Sequence, residues 1–132
     1  MNQAVSIFHE TFEDDSIPIT NIDFDDDFGD YEYEIDGWKD GREYQLTIKA
    51  DGSGVTDQEI DNEDDDDEDV LPLADVISPE EAMEIALVNS SGGYVDGWEL
   101  QMDDGRPVYE VDIEGGRDVD VHAITGEVIE ID

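Results

Sequence analysis

The sequence predicts an α+β protein of two tandem modules, each with one helix packed on an antiparallel meander sheet of three to four strands. The alternation YEYEID at residues 31–36 returns as YEVDIE at residues 109–114, and period two is typical of half-buried strands. A helix-start signature lies at residues 78–82. Asp-Gly and Gly-Gly pairs separate the alternating runs, as tight hairpins require. Together these observations favour helix-on-sheet modules.

The charge of the chain restricts its partners. Its 132 residues carry 41 acids against five bases, a formal net charge of -36. Such a charge repels nucleic acid and anionic membranes, so we expect no direct nucleic-acid binding and favour a basic protein surface as partner. The absence of cysteine excludes disulfides and thiolate chemistry. No apolar run approaches the length of a membrane span. The oligomeric state stays open.

The second module, residues 77–132, has the clearest signals. Ser78 suits an N-cap, Pro79 the first helical position and Glu81 the third, as in a capping box. The predicted apolar stripe of this helix comprises Ala82, Met83, Ile85, Ala86 and Leu87. Four strands follow, with inward rows predicted at Trp98, Leu100 and Met102; at Tyr109, Val111 and Ile113; at Val119, Val121 and Ala123; and at Ile129 and Ile131.

The first module, residues 1–61, repeats this order. Its predicted helix carries Ala4, Val5, Phe8 and Phe12, and its strands carry residues 17–24, then Tyr31, Tyr33 and Ile35, then Tyr44, Leu46, Ile48 and Ala50, then residues 55–60. Residues 62–76 are predicted to be an acidic linker followed by a short extended segment, residues 70–74, that covers either a sheet edge or the seam between the two modules.

The second module resembles a PepSY domain. The resemblance rests on residues 77–82 at the helix start, on residues 107–113 as a central strand and on residues 123–128 as a closing turn. Residues 1–61 resemble the family more loosely, through residues 31–35 and 54–55, as a divergent second copy. The resemblance implies a small α+β module of the cell envelope or exterior, non-enzymatic, with an inhibitory or regulatory role toward peptidases. It brings no catalytic residues, and His122 stands where the family often has an acid.

Strand alternation predicts a carboxylate face on the second sheet, opposite the helix. Its candidate partner-binding residues are Glu99, Glu110, Asp112, Glu114, Asp118 and Asp120, with Glu130 on the same face. Either this face is merely solvated, or a basic partner neutralises it. Trp38, at the predicted hairpin tip beside Asp40-Gly41, is a further candidate. It is either an exposed partner anchor or a side chain that covers the neighbouring sheet edge or the other module.

Metal binding and catalysis have weaker signals. Asp23, Asp25 and Asp27 alternate, and Glu34 stands where a twelfth calcium ligand would, but Phe28 occupies the glycine position of a calcium loop. We therefore expect no cofactor beyond diffuse calcium binding. His9 and His122 have the setting of ordinary structural histidines, and the sequence has no phosphate loop or nucleophile elbow, so we expect no enzyme activity.

The expected location is extracytoplasmic by family resemblance, or cytoplasmic if Met1 is the native start. Three alternatives to a partner-binding role stay open. The acids would imitate the phosphates of nucleic acid, buffer cations, or reflect adaptation to a salty habitat. Melting temperature against salt concentration separates habitat from partner binding.

Overall fold

A computed structural model describes residues 1–27, 30–62 and 70–132, without the side chains of residues 26, 27 and 30. It shows a mixed α+β fold with two helices and eight strands that pair antiparallel within each unit. The elements are α1 Asn2–Thr11, β1 Ile19–Asp27, β2 Asp30–Lys39, β3 Arg42–Lys49, β4 Val55–Asn62, α2 Pro79–Asn89, β5 Tyr94–Asp103, β6 Arg106–Glu114, β7 Val119–His122 and β8 Val128–Ile131.

The chain divides into two compact units, Met1–Leu71 and Pro72–Asp132. Most of the predicted acidic linker, residues 63–69, lies outside the described residues. At its end, Leu71 is buried, and its backbone N–H donates to the carbonyl of Ile19 at 2.8 Å. The segment after the linker is therefore tied to the start of β1. Residues 73–75 form a turn, so the segment is not extended over its whole predicted length.

In the first unit the strands lie in the order β4-β3-β2-β1, and α1 packs on β2. The largest buried side chains of its core are Phe8, Ile22, Ile35, Leu46 and Ile48. Gly37 allows the close approach of the helix, because a Cβ there would lie 2.8 Å from Ile17 Cγ2 and 2.9 Å from Phe8 Cζ. The alternation of apolar and acidic residues in β2 thus places its apolar side against the helix.

In the second unit the strands lie in the order β5-β6-β7-β8, and α2 packs on all four of them. The predicted inward residues Trp98, Leu100, Tyr109, Val111 and Val121 are buried. Tyr109 also donates its hydroxyl to the carbonyl of Ile77 at 2.7 Å, which ties the sheet to the chain just before the helix. The core of this unit follows the predicted period-two rows.

Four predicted core positions are wrong. Tyr31, near the start of β2, is 37% exposed. Leu87 is 40% exposed, because α2 faces the sheet through Ala82 and Ala86, one turn apart, and position 87 lies about a quarter-turn further round. Ala50 is exposed because β3 ends at Lys49. Ile131 is 41% exposed because β8 is the outermost strand of its unit.

The start of α2 is set by Ser78, whose Oγ accepts a hydrogen bond from the backbone N–H of Glu81 at 3.2 Å. Replacing Ser78 with Ala leaves that N–H without its cap. We expect Ser78→Ala to lower the free energy of unfolding by about 1 kcal/mol. Urea denaturation measures this loss, and Ser78→Asp, which restores an acceptor, is expected to recover it. An Ala variant as stable as the parent would contradict this role.

Candidate functional site

A row of four carboxylates crosses the second unit, one from each strand. Glu99 of β5 stands opposite Glu110 of β6, Glu110 opposite Asp120 of β7, and Asp120 opposite Glu130 of β8. We call these four residues the carboxylate row. They share a face because side chains directly opposite each other on paired strands point to the same side of a sheet. Glu99, Glu110 and Asp120 also lie between buried residues, whose side chains point to the other side. Neighbouring side chains at such paired positions have Cβ atoms about 4.5–5.5 Å apart.

Glu110 is the most perturbed member of the carboxylate row. Partial burial, then the charge of Asp120, then that of Glu99 raise its pKa from the usual 4.5 to about 7. A hydrogen bond with Glu99 acts in the same direction, because it stabilises the protonated carboxyl. Glu110 also accepts a hydrogen bond from Gln101 Nε2. At neutral pH the row therefore holds a proton for part of the time.

Asp120 continues the same electrostatic pattern. Burial, followed by the charges of Glu130 and Asp132, raises its pKa above the ordinary aspartate value. Two adjacent members of the row are thus shifted toward the protonated form, and in both the largest cause is removal from solvent. A bound cation would reverse these shifts, since opposite charge favours the ionised carboxylate.

The remaining predicted acids of this face lie beside a surface hollow at the end of the sheet. The hollow has a volume of about 370 Å³. Its acidic lining residues are Asp96, Asp112, Glu114, Asp118 and Asp132. Asp118 is held in place, because its Oδ1 accepts the backbone N–H of Ile113 at 2.8 Å. The predicted partner-binding acids therefore divide into the carboxylate row and this acidic hollow.

The sequence analysis missed Asp96 and Asp132 as members of the hollow. Asp96 has no partner of its own in the strand pairing, because a bulge between Val95 and Gly97 interrupts the register. A glycine inside an alternating strand is a recognised sign of a bulge, so Gly97 was the available signal. Asp132 joins the hollow because its N–H donates to the carbonyl of Asp118 at 3.0 Å.

The predicted carboxylate face is not acidic along its whole length. Toward the β5–β6 turn it carries Arg106, opposite Asp103, and the buried Val108, which lies between Gln101 and His122. The Nε atom of Arg106 is buried without a hydrogen-bond partner. The acids are thus concentrated in the half of the face that contains the carboxylate row and the hollow.

Trp38 and the calcium candidates lie in the first unit. Trp38 lies within β2, opposite Glu43 and close to the Asp40-Gly41 turn. It is half-buried, and its backbone N–H donates to the carbonyl of Pro18 at 3.1 Å. Asp23 and Asp25 face Glu34 and Glu32 across β1 and β2, and the side chain of Asp27 lies outside the described residues. The described part of the chain has no group of three or more metal-ligating side chains placed to hold an ion.

Both histidines have structural hydrogen bonds. His9 Nε2 lies 3.0 Å from the carbonyl oxygen of Ile17 and donates to it. His122 Nδ1 accepts the backbone N–H groups of Ile124 at 3.1 Å and of Thr125 at 3.4 Å, across the turn between β7 and β8. These contacts stabilise the turn and the helix end.

Comparison with known proteins identifies the second unit. Residues 76–132 match the PepSY family model, described as "Peptidase propeptide and YPEB domain". The second unit is therefore similar to a PepSY domain over residues 76–132. The carboxylate row and the acidic hollow both lie within these matched residues. The match does not extend into the first unit, so the divergent second copy stays a prediction.

A solved structure resembles almost the whole chain, including the first unit. It is a candidate lipoprotein from Clostridium difficile 630, with a TM-score of 0.85 and 26% sequence identity over 98% of this chain and 89% of that protein. No curated protein matches the chain. Among the described residues, no helix combines the length and the apolar character needed to cross a membrane.

Proposed function

We propose that this is a non-enzymatic binding or regulatory protein of the cell envelope or exterior, whose PepSY domain docks a basic surface of a partner protein. The observation that carries the proposal is the carboxylate row, in which four acids stand in consecutive register across four strands. The described residues show no basic side chain in strand register with this row. A partner would supply the neutralising charge.

The energetics favour a docking role for the row. Two like charges 4 Å apart repel by about 1 kcal/mol in bulk water and by about 4 kcal/mol at an effective dielectric constant of 20. The raised pKa of Glu110 shows that this repulsion and partial burial act together on the row. A lysine or arginine placed between two of these carboxylates would relieve the repulsion, and the relief would strengthen binding.

The comparisons support the proposed cellular location of the protein and the proposed class of its partner. The family description refers to peptidase propeptides, and the similar solved structure is a candidate lipoprotein. A peptidase or another envelope protein with a basic surface is therefore the partner class that we propose. The family resemblance supports a binding or inhibitory role over a catalytic one.

Affinity capture tests this role. The protein is immobilised and exposed to an envelope extract of its source organism at low ionic strength. We expect a basic protein to be retained and to elute as the salt rises to about 0.5 M, where exposed charges are screened within a few ångströms. A variant that neutralises the row, with Glu99→Gln, Glu110→Gln, Asp120→Asn and Glu130→Gln, is expected to lose about tenfold in affinity or more.

The matched control removes the same number of charges elsewhere, at the exposed residues Glu10, Glu80, Glu84 and Glu127, each changed to Gln. This control is expected to retain the partner. Equal retention by the row variant and by the parent, or no retained protein at low salt, would contradict the proposal. A melting temperature that rises steeply with salt and equally in both variants would instead indicate acidity adapted to habitat.

A further inference from the structure

Strand β4 is the outermost strand of the first unit and is exposed on both faces. It pairs with β3 along one edge, and no described residue pairs with its other edge. All eight of its residues are exposed, including Val55 at 41% and Ile60 at 52%. An unpaired edge presents the N–H and C=O groups of every second residue to any strand of matching geometry.

One face of β4 continues the apolar side of the sheet. Ile60 stands opposite Tyr44, and Gln58 stands opposite the buried Leu46. The helix of this unit packs on β2, so Ile60 stays uncovered. An added strand with an apolar side chain on this face would cover it.

The other face of β4 is acidic. Asp57, Glu59 and Asp61 alternate along the strand and stand opposite Thr47, Gln45 and Glu43 of β3. These three acids disfavour pairing between two copies of the chain, because edge-to-edge pairing brings like charges together. The same acids attract a strand that carries lysine or arginine at alternate positions. Charge therefore selects a foreign, cationic segment over a second copy.

We propose that the free edge of β4 binds an extended cationic segment of a partner protein as an added antiparallel strand. Main-chain hydrogen bonds to the edge supply affinity, and the two faces supply specificity. Basic side chains of the segment lie on the face of Asp57, Glu59 and Asp61, and apolar ones lie on the face of Ile60. This surface is separate from the carboxylate row, so either proposal can fail without the other.

A synthetic peptide of eight residues, alternating lysine with valine and blocked at both ends, tests the inference. Amide hydrogen exchange followed by NMR is expected to show new protection at alternate residues of β4. The affinity is expected to fall about tenfold, or about 1.4 kcal/mol, in a variant with Asp57→Asn, Glu59→Gln and Asp61→Asn. The variant with Glu10→Gln, Glu84→Gln and Glu127→Gln removes as many charges from other exposed positions and is expected to bind like the parent.

A second peptide separates strand addition from plain charge attraction. It has the same sequence, with the backbone nitrogen of every second residue methylated, so its charge is kept while hydrogen bonds to the edge are blocked. We expect this peptide to lose the β4 protection. Equal binding of the two peptides, equal loss in the two variants, or protection confined to β5–β8 would each overturn the inference.

Discussion

Glu110→Gln is expected to stabilise the protein by about 1–2 kcal/mol at pH 8 and to leave its stability at pH 4 nearly unchanged. The pKa of Glu110 is raised to about 7 by burial and by its acidic neighbours. A raised pKa means that the folded state binds the proton more tightly than the unfolded state. The stabilising contribution is therefore fully present below about pH 4.5 and is lost as the pH rises through 7. Glutamine imitates the protonated side chain at every pH.

The measurement is the free energy of unfolding by urea between pH 4 and pH 8. We expect the parent to lose stability across this window and the Glu110→Gln variant to lose less. Asp14 does not contribute to the change in stability between pH 4 and pH 8. Its hydrogen bond with Lys39 holds its pKa below the usual 3.8, outside this pH range. Glu84→Gln, at an exposed helix position, removes one charge without touching the row. Identical pH slopes for the two variants would show that general repulsion, and not the row, sets the pH dependence.

Trp98→Ala is expected to cost about 3–5 kcal/mol of unfolding free energy, since it removes a large buried aromatic side chain. Trp98 is 2% exposed, and its ring meets that of Tyr109 edge to face with centroids 5.4 Å apart. Tyr109 in turn holds the Ile77 carbonyl beside the start of α2. The loss would therefore weaken the contact between helix and sheet that supports the carboxylate row.

Urea denaturation also measures the stability lost in Trp98→Ala, through the midpoint of the unfolding transition. Val88→Ala, at a side chain that is 81% exposed on α2, provides the control and is expected to change stability by less than about 0.5 kcal/mol. Trp98→Phe keeps an aromatic ring, so its loss of unfolding free energy is expected to lie between those of Val88→Ala and Trp98→Ala. A cost below about 1 kcal/mol for Trp98→Ala would mean that Trp98 is not part of the core.

Much of the fold follows from local patterns in the sequence. Period two in residues 109–114 places Tyr109, Val111 and Ile113 in the core. The Ser78 signature sets the start of α2, and the Asp40-Gly41 and Asp104-Gly105 pairs form turns, all four residues with positive φ. These features depend on residues adjacent along the chain, so their physical cause is visible in a single stretch of sequence. The same alternation also assigns Glu110 and Asp120 to one face.

Register and packing between distant segments decided the rest. Which acid stands opposite which depends on the pairing of strands and on bulges such as that beside Gly97, so the carboxylate row, the pKa of Glu110 and the place of Asp96 emerge only in three dimensions. Leu87 is exposed because the two small alanines bring α2 onto the sheet along a narrow stripe. Sequence alone determined which residues alternate and where helices and turns begin. Tertiary structure determined which charges meet, because electrostatic energy depends on the distance and solvent between groups that lie far apart in the chain.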